Sequence, residues 1–177
     1  MVQKNNDLIN LTSKNGFTLL NRFAREGCRD FSKIDYLVSH GAGVNIAANN
    51  WFTPLFYVSE LCETDAANLL LSHGANINAK DNEGLTPLHY SVFNYGMVKL
   101  LVDKGAEINT KDTEGVTPLM DAVGLGSYET VNYLISKGAD INVKDNGGKG
   151  LIQYLNEREE DSDKIKIKNL LNSKGLK

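Results

Sequence analysis

The chain repeats itself, and this limits its fold more than any other feature of its 177 residues. A Gly-Ala pair recurs four times, and an asparagine stands four positions after each glycine. These residues are Gly41-Ala42 with Asn45, Gly74-Ala75 with Asn78, Gly105-Ala106 with Asn109, and Gly138-Ala139 with Asn142. The glycines lie 33, 31 and 33 residues apart. A period of this length is typical of a solenoid, in which each unit contacts only its neighbours.

A second motif begins 12 residues after each glycine and divides the chain into repeats. It reads Thr-Pro-Leu from Thr53, Thr86 and Thr117, is degenerate at Gly150-Leu151-Ile152, and has an earlier counterpart at Thr18-Leu19-Leu20. We therefore expect a single domain over 1–177, with repeats at about 14–45, 46–78, 79–109, 110–142 and 143–177. Residues 1–13 are either a leader or the remnant of a further repeat, because Leu8-Ile9-Asn10 echoes Asp140-Ile141-Asn142.

Each repeat is predicted to consist of a turn, a helix, a loop and a second helix. Threonine caps free backbone N–H groups, and proline is tolerated at the first helical position because no hydrogen bond is lost there. Glycine after the second helix can take the left-handed conformation that helix ends favour. Runs such as Asp81-Asn82-Glu83-Gly84 are typical of tight turns.

These motifs resemble the ankyrin repeat family. The resemblance is closest in the third repeat, where Gly84-Leu85-Thr86-Pro87-Leu88-His89 is followed by Leu100 to Asn109, and it covers about residues 6–177. It implies an all-α solenoid of about five helix-turn-helix units, with β-hairpin fingers on one side. In that family, the fingers and the inner face of the first helices usually bind another protein.

The repeats differ in length at one place, between their two helices. The third repeat lacks two residues around Tyr95-Gly96-Met97, the first is two residues longer there, and the fifth is four longer through Glu157 to Asp161. We expect these changes to lie in interhelix loops, where they have little effect on stability.

Two leucine slots are predicted to form one continuous core. One slot holds Leu20, Leu55, Leu88, Leu119 and Ile152, and the other holds Leu37, Leu70, Leu101, Leu134 and Leu171. Lys168 occupies a slot that is apolar in earlier repeats, so it gives the last repeat the polar outer face of a cap. We expect the four repeated asparagines to hydrogen-bond turn backbone.

The composition argues against binding to nucleic acid and insertion into a membrane, and it indicates a cellular compartment. A formal charge of −3 argues against nucleic acid as the main partner, and no apolar run approaches the roughly 20 residues of a membrane span. The two cysteines, Cys28 and Cys62, indicate a reducing compartment. We therefore expect a cytoplasmic monomer, or a protein delivered into a host cell, that binds neither nucleic acid nor membrane.

No pattern in the sequence predicts catalysis, a cofactor or a metal site. His40 and His73 fill the same slot in successive repeats, about 10 Å apart in a stack of this type, which is too far to share one metal ion. His89 follows Thr-Pro-Leu, where the resembled family uses histidine to tie turns together. The chain is therefore predicted not to be an enzyme.

Function must then depend on side chains that vary between repeats. The slot before each threonine is predicted to face solvent, and it holds Phe17, Phe52, Leu85 and Val116. The slot two after each first-helix core residue holds Arg22, Tyr57, Tyr90, Asp121 and Tyr154. Further candidates are Trp51, Glu60, Phe93 and Leu125, and Leu61 and Asn94 beside them. The alternative is that these side chains only pack the fingers against the helices.

Trp51 is the most unusual of these candidates, because it replaces the turn glycine of other repeats. Tryptophan is disfavoured at positive φ, so we expect Asn49 or Asn50 to take that conformation and the turn to shift by one or two residues. Trp51 or Phe52 should then face solvent, since neighbouring strand residues point to opposite faces. We interpret Trp51 as an anchor for a partner, the alternative being that it covers the next finger.

The sequence thus predicts a non-catalytic scaffold that binds a partner protein on a concave surface. The alternative is a regulatory inhibitor or adaptor, and a host-directed bacterial effector would fit the frequent asparagine and lysine.

Overall fold

The computed structural model describes residues 8–27, 31–61 and 63–176, and within them the regular structure is helical. The helices are α1 (Leu19–Arg25), α2 (Phe31–Ser39), α3 (Pro54–Glu60), α4 (Thr64–Ser72), α5 (Pro87–Ser91), α6 (Tyr95–Asp103), α7 (Pro118–Leu125), α8 (Tyr128–Ser136), α9 (Leu151–Asn156) and α10 (Ser162–Ser173). Each odd-numbered helix packs on the even-numbered helix that follows it. The chain is therefore a helical repeat solenoid, as the period predicted.

The helices form two layers with the core between them. In the inner layer α1, α3, α5, α7 and α9 each contact the next, and in the outer layer the even-numbered helices do the same. The leucine slots lie between the layers, where Leu20, Leu55, Leu88 and Leu119 are buried, as are Leu37, Leu70, Leu101, Leu134 and Leu171. Because every repeat contributes to one shared core, the apolar face of each repeat is buried by its neighbours.

Ile152 is the one core assignment that the structure corrects. It is only half-buried, while its neighbour Leu151 is fully buried against the preceding repeat. The degenerate Gly150-Leu151-Ile152 motif has leucine in place of proline, so the larger apolar side chain moves to the first helical position. Lys168 is exposed in the slot where Val98 and Val131 are buried, as expected for a polar outer face.

The threonine and glycine signals mark helix ends as predicted, but the side chain of Thr53 does not cap its helix, because its buried hydroxyl has no hydrogen-bond partner. Thr53, Thr86 and Thr117 are extended and precede proline at the first turn of α3, α5 and α7. At the other end of a repeat, Gly105 has φ 96° and Ala106 N–H donates to Leu101 O at 3.0 Å. A side chain at this φ would be strained, so glycine suits the position.

The deletion in the third repeat does not lie in its interhelix loop, contrary to the prediction. The inner helix α5 is instead shortened to five residues and ends at Ser91. Asn94 then caps α6 directly, with its side chain accepting from Met97 N at 2.9 Å. The additional residues of the fifth repeat do lie in a loop, over 157–161.

Fingers precede each inner helix, and we define them as residues 13–17, 48–52, 81–85, 112–116 and 145–149. In every finger the first residue donates its backbone N–H to the carbonyl of the fifth, at 2.9–3.1 Å. The fourth residue donates back to the carbonyl of the first. Among the described residues these turns contain no strand, and the bridge between Lys144 and Gly150 is isolated, so β-hairpins are not confirmed.

The repeated asparagines connect each repeat to the next. Asn45 donates to Gly74 O at 2.8 Å and accepts from Asn76 N at 2.7 Å, and Asn109 makes the same pair of bonds with Gly138 and Asp140. The predicted bond to turn backbone is thus confirmed for these residues, with the turn belonging to the following repeat. The side chain of Asn142 makes no such bond within the described part of the chain.

Candidate protein-binding surface

Four slots of the inner layer share one face, and the first repeat shows this directly. There Phe17, Arg22, Arg25 and Glu26 line a groove of about 780 Å³ together with Leu8 and Leu11. Arg25 lies over the Phe17 ring at 5.4 Å, and Arg22 pairs with Glu26 at 2.9 Å. Because the repeats share their slots, the corresponding residues of later repeats face the same way. We call this face the inner surface.

The predicted site residues fall into three groups by exposure. Trp51, Phe93 and Leu125 are exposed by 63%, 55% and 54%, and Arg22 and Glu60 are also exposed. Phe17, Phe52, Leu85, Tyr90 and Asp121 are half-buried. Tyr57 and Val116 are only 4% and 8% exposed. The inner surface thus combines a few fully exposed apolar side chains with a half-buried floor.

The burial of Val116 and Tyr57 corrects their predicted exposure. An aromatic cluster made of Phe17, Phe52, Phe56, Tyr57 and Tyr90 encloses Tyr57 across the first three repeats. Its ring centroids lie 4.9–5.8 Å apart, in the range of favourable aromatic pairs. The sequence pattern missed Phe56, which is fully buried here although its slot holds polar Asn21 and His89 in other repeats. Tyr57 and Val116 are therefore covered by their neighbours in the folded chain.

Trp51 keeps the register of the finger, and the predicted shift of the turn is wrong. Trp51 itself has φ 67°, the one positive value at a non-glycine residue in the described part of the chain. Trp51 N–H donates to Ala48 O at 2.8 Å, as Gly84 N–H does to Asp81 O. A shifted turn would pull Phe52 away from the aromatic cluster, so packing outweighs the backbone strain. The predicted solvent exposure of Trp51 is confirmed.

Tyrosines of the inner helices hold the fingers through hydrogen bonds. Tyr90 OH donates to Asp81 Oδ2 at 2.9 Å, and Tyr154 OH donates to Asp145 Oδ2 at 2.8 Å. Burial, followed by this hydrogen bond to Asp81, raises the pKa of the Tyr90 hydroxyl well above its usual range. These hydroxyl groups therefore remain protonated donors at physiological pH.

The fourth repeat lacks such a tyrosine and has Asp121 in its place. Burial, and then the charge of Asp112, raise the pKa of Asp121 to about 7. A shifted carboxyl group is sometimes a sign of a functional site, but burial and one neighbouring carboxylate account for the shift here. Here it marks a place where the inner surface holds two acidic groups close together.

The groove in the first repeat has walls that sequence reasoning did not select. Leu8, Leu11 and Leu19 are exposed large apolar residues there. The sequence does contain a signal for them, since Leu8-Ile9-Asn10 echoes a later repeat, but this echo alone does not predict a groove.

The histidines have structural roles in the described part of the chain. His40 Nδ1 contacts Tyr36 O at 2.7 Å and His73 Nδ1 contacts Leu69 O at 3.0 Å, each at the end of its helix. Within residues 8–27, 31–61 and 63–176, no cluster of histidine, cysteine, aspartate or glutamate could hold a metal ion. None of the helices there is long and apolar enough to span a membrane. Cys28 and Cys62 lie outside the described residues.

Comparison with known proteins points to one family. The model of the family described as ankyrin repeats (3 copies) matches residues 1–81 and 80–145. No curated protein matches the chain.

Proposed function

The chain belongs to the ankyrin repeat family, and from this we propose that it is a non-catalytic scaffold that binds a partner protein on its inner surface. Ankyrin repeats are generally protein–protein interaction modules and are typically not enzymes. The proposal adds the surface to that general statement. Trp51, Phe93 and Leu125 are its central contacts, with Arg22 and Glu60 as charged neighbours.

One observation carries the proposal: three successive repeats expose a large apolar side chain, one in a finger and two at the end of an inner helix. Trp51 precedes α3, Phe93 follows α5, and Leu125 ends α7. Burying such side chains against a partner is favourable, and aromatic residues dominate the binding energy of many interfaces. The half-buried Phe52, Leu85 and Tyr90 form a floor between them. Bound protein would then cover a surface whose rigid shape is set by the core.

The test is capture of partners from a lysate with immobilised wild-type chain and with Trp51→Ala. We expect the affinity of a protein captured by the wild type to fall by about 1–2 kcal/mol in the variant, with nearly unchanged melting temperature. Tyr36→Ala is the matched control, because Tyr36 is an exposed aromatic residue on the outer layer. A large loss of thermal stability with intact affinity would instead assign Trp51 to packing.

The same experiment distinguishes a scaffold from the inhibitor or adaptor alternative. If the captured protein is an enzyme, its activity is measured with and without the chain. Loss of enzyme activity in the complex would favour an inhibitor, whether the enzyme belongs to the same cell or to a host. Unchanged activity would favour a scaffold.

We also propose the number of repeats, the type of the fingers and the oligomeric state. The pairs from α1 with α2 to α9 with α10 support five units, although the family model matches only residues 1–145. Asn10 supports a remnant of a further repeat before them, because it accepts from Gly43 N at 2.7 Å and donates to Gly41 O, as Asn45 does one repeat later. We further propose fingers of hairpin type and a cytoplasmic monomer with no role in nucleic-acid or membrane binding.

A further inference from the structure

Within the described residues, the first inner helix α1 has an inner-layer neighbour on one side only, where α3 packs on it. Leu19, the first residue of α1, is 48% exposed. In the later repeats this slot is buried, and it holds Pro54, Pro87, Pro118 and Leu151. Phe23 is half-buried in a slot that is fully buried at Val58 and Leu155. The inner layer thus ends on an apolar face that α1 leaves partly uncovered.

Two exposed leucines extend this face into the groove of the first repeat. Leu8 and Leu11 are 62% and 63% exposed, and with Phe17 and Leu19 they form the apolar wall of its 780 Å³. In later repeats the slot of Leu8 holds a glycine or a polar residue, namely Gly43, Asn76, Glu107 and Asp140. The volume lies in the range of about 300–1,000 Å³ that is usual for binding pockets, so the groove has room for several side chains of a partner.

The outer layer is closed at the same end by a lysine. Lys33 of α2 is exposed, and its Nζ lies 5.4 Å from the centroid of the Phe23 ring. The same slot is buried in later repeats, where it holds Ala66, Met97, Thr130 and Ile167. A complete further repeat would take the Lys33 ammonium group out of water, which is costly. This end of the solenoid therefore suits a single element that packs on the inner layer alone.

A second copy of the chain and residues 1–7 are both poor occupants of the groove. A second copy that stacked its last repeat on this end would bring the exposed Lys168 next to Lys33, and like charges repel each other. Residues 1–7 contain no apolar residue after Val2, so they offer no stripe of apolar side chains at helical spacing. The better occupant is an element of another protein.

The polar wall of the groove is basic. Arg22 and Arg25 line it together with Glu26, which pairs with Arg22 at 2.9 Å. Arg25 lies over the Phe17 ring at 5.4 Å from its centroid and makes no ion pair with any described residue. A carboxylate of a partner would therefore be attracted to Arg25.

We propose that the groove of the first repeat binds an amphipathic helix of the partner protein. The helix lies beside α1 as α1 lies beside α3, and it packs an apolar stripe with i, i+3, i+4 and i+7 spacing on Leu8, Leu11 and Leu19. A carboxylate at the edge of the stripe pairs with Arg25. The inference rests on the proposed function for a protein partner, but it adds a contact at the end of the solenoid.

A library of helical peptides of about 14 residues, roughly four turns, tests the groove. Each peptide is held helical by a lactam between two side chains one turn apart, so that little entropy is lost on binding. We expect peptides selected against the wild-type chain to carry an apolar stripe with a carboxylate beside it. Absence of enriched peptides, or enrichment of peptides without a stripe, would overturn the proposal.

Three leucine variants locate the bound peptide. Leu11→Ser and Leu19→Ser should each weaken its binding by at least about tenfold, because a leucine contact is lost. Both side chains are exposed, so the melting temperature should change little. Leu125→Ser is the matched control, because Leu125 is 54% exposed and lies in the fourth repeat, and it should change the affinity less than about twofold.

Charge exchange tests the contact with Arg25. We expect Arg25→Glu to weaken binding of a selected peptide by at least about threefold. A peptide whose carboxylate is replaced by lysine should bind Arg25→Glu better than it binds the wild type. Failure of this exchanged pair would overturn the contact with Arg25, since a purely structural role of the arginine would not produce such a rescue.

Sedimentation equilibrium of the full chain shows whether a second copy fills the groove. We expect a monomer, both for the wild type and for Leu19→Ser. A wild-type dimer that Leu19→Ser dissociates would overturn the proposal, because the chain itself would then be the occupant.

The groove and the proposed function can fail separately. If Leu125→Ser weakened peptide binding and Leu19→Ser did not, the groove would be refuted and the inner surface would remain the binding site. The proposed function itself fails if Trp51→Ala leaves capture of the partner unchanged.

Discussion

Asp121 occupies the slot that tyrosine fills in the repeats on either side. Asp112, the finger residue it faces, still accepts from the backbone nitrogens of Glu114 and Val116 at 2.9 and 2.8 Å. What Asp112 lacks is the hydroxyl donor that Tyr90 and Tyr154 supply to their fingers. The pKa of Asp121 is raised to about 7, by burial and then by the charge of Asp112. Ionisation of Asp121 is therefore unfavourable in the folded chain.

Replacing Asp121 by tyrosine should stabilise the protein, and more so at high pH. The folded chain holds the Asp121 proton up to about pH 7, whereas the ordinary pKa is 3.8, so stability from this group is complete below about pH 4 and lost as pH rises through 7. Asp121→Tyr removes the loss and adds a hydroxyl donor for Asp112. We expect a gain of about 1 kcal/mol in unfolding free energy at pH 8.

Urea unfolding at pH 8 and pH 5 measures this effect. The gain should shrink at pH 5, where Asp121 is protonated in the folded state. Asp121→Asn removes the charge without reaching Asp112, and it separates the two contributions. A tyrosine variant that is less stable than the wild type at pH 8 would contradict the interpretation.

Trp51 also shows which details of the structure could be predicted from the sequence. Alignment of the repeats identified Trp51 as an exception, and its exposure followed from the lack of a core at a fingertip. Its φ could not be predicted, because it depends on the packing of Phe52 against Phe56 and Tyr90. Those contacts join two repeats, and a local rule for turns does not contain them.

At the scale of elements, an inner helix and the next finger are connected by one side chain. His89 Nδ1 accepts from Thr86 N–H at 3.1 Å, and its Nε2 then carries the proton and donates to Val116 O at 3.4 Å. Asn21 does the same in the first repeat, accepting from Thr18 N–H at 3.1 Å and donating to Phe52 O at 3.3 Å. The same two bonds can thus be made by a histidine or by an asparagine.

His89→Asn should therefore keep the two bonds and lose a pH dependence. Burial lowers the pKa of His89, so the folded chain favours the neutral ring. The stability that this ring contributes is present above its ordinary pKa of 6.5 and is lost as pH falls through the lower folded value. Relative to wild type, we expect His89→Asn to become more stable as the pH falls from 7.5 to 5.5.

The comparison is made by urea unfolding of both proteins across that range. The difference in unfolding free energy between the two proteins isolates the contribution of His89. Asp121 titrates in both proteins, and its effect on stability has the opposite dependence on pH. Parallel stability curves would show that His89 is not buried as a neutral donor.

Elements that have no counterpart in other repeats were the least predictable. The sequence shows that the third repeat has a deletion, but the deletion shortens α5 and not the interhelix loop where it was predicted. The extra loop of the fifth repeat folds back, and Arg158 donates to Gly124 O at 3.1 Å. Its guanidinium fills the space beside Gly126, where a Cβ atom would lie 2.2 Å from Cζ. The alignment placed Arg158 in an insertion, so nothing in the pattern indicated this contact.

At the scale of the whole molecule, the prediction of the fold succeeded because the repeats share their slots. Four leucines at one slot and five at another are buried. The side chains of Asn45, Asn78 and Asn109 each bond to the turn of the next repeat. Each such observation is repeated along the chain, so errors at single positions such as Ile152 do not change the fold. The candidate surface is different, because function depends on the slots that vary, and variation alone does not separate packing from binding. Tyr57 and Trp51 satisfied the same pattern, and only their burial distinguishes them.

A solenoid held by contacts between neighbours should be most sensitive to truncation in its middle. Leu101 is fully buried in α6, which contacts both α4 and α8. Ile152, in the inner-helix core slot of the last repeat, is half-buried. Leu101→Ala should reduce the unfolding free energy by about 2–5 kcal/mol, and Ile152→Ala by about 1 kcal/mol. Thermal and urea unfolding followed by circular dichroism measure both losses of stability.

A single transition for Leu101→Ala would show that the repeats unfold together, while a two-step curve would show that the repeats on either side of α6 unfold separately. Equal losses for the two variants would contradict the solenoid account, since burial by two neighbours would then count no more than burial by one.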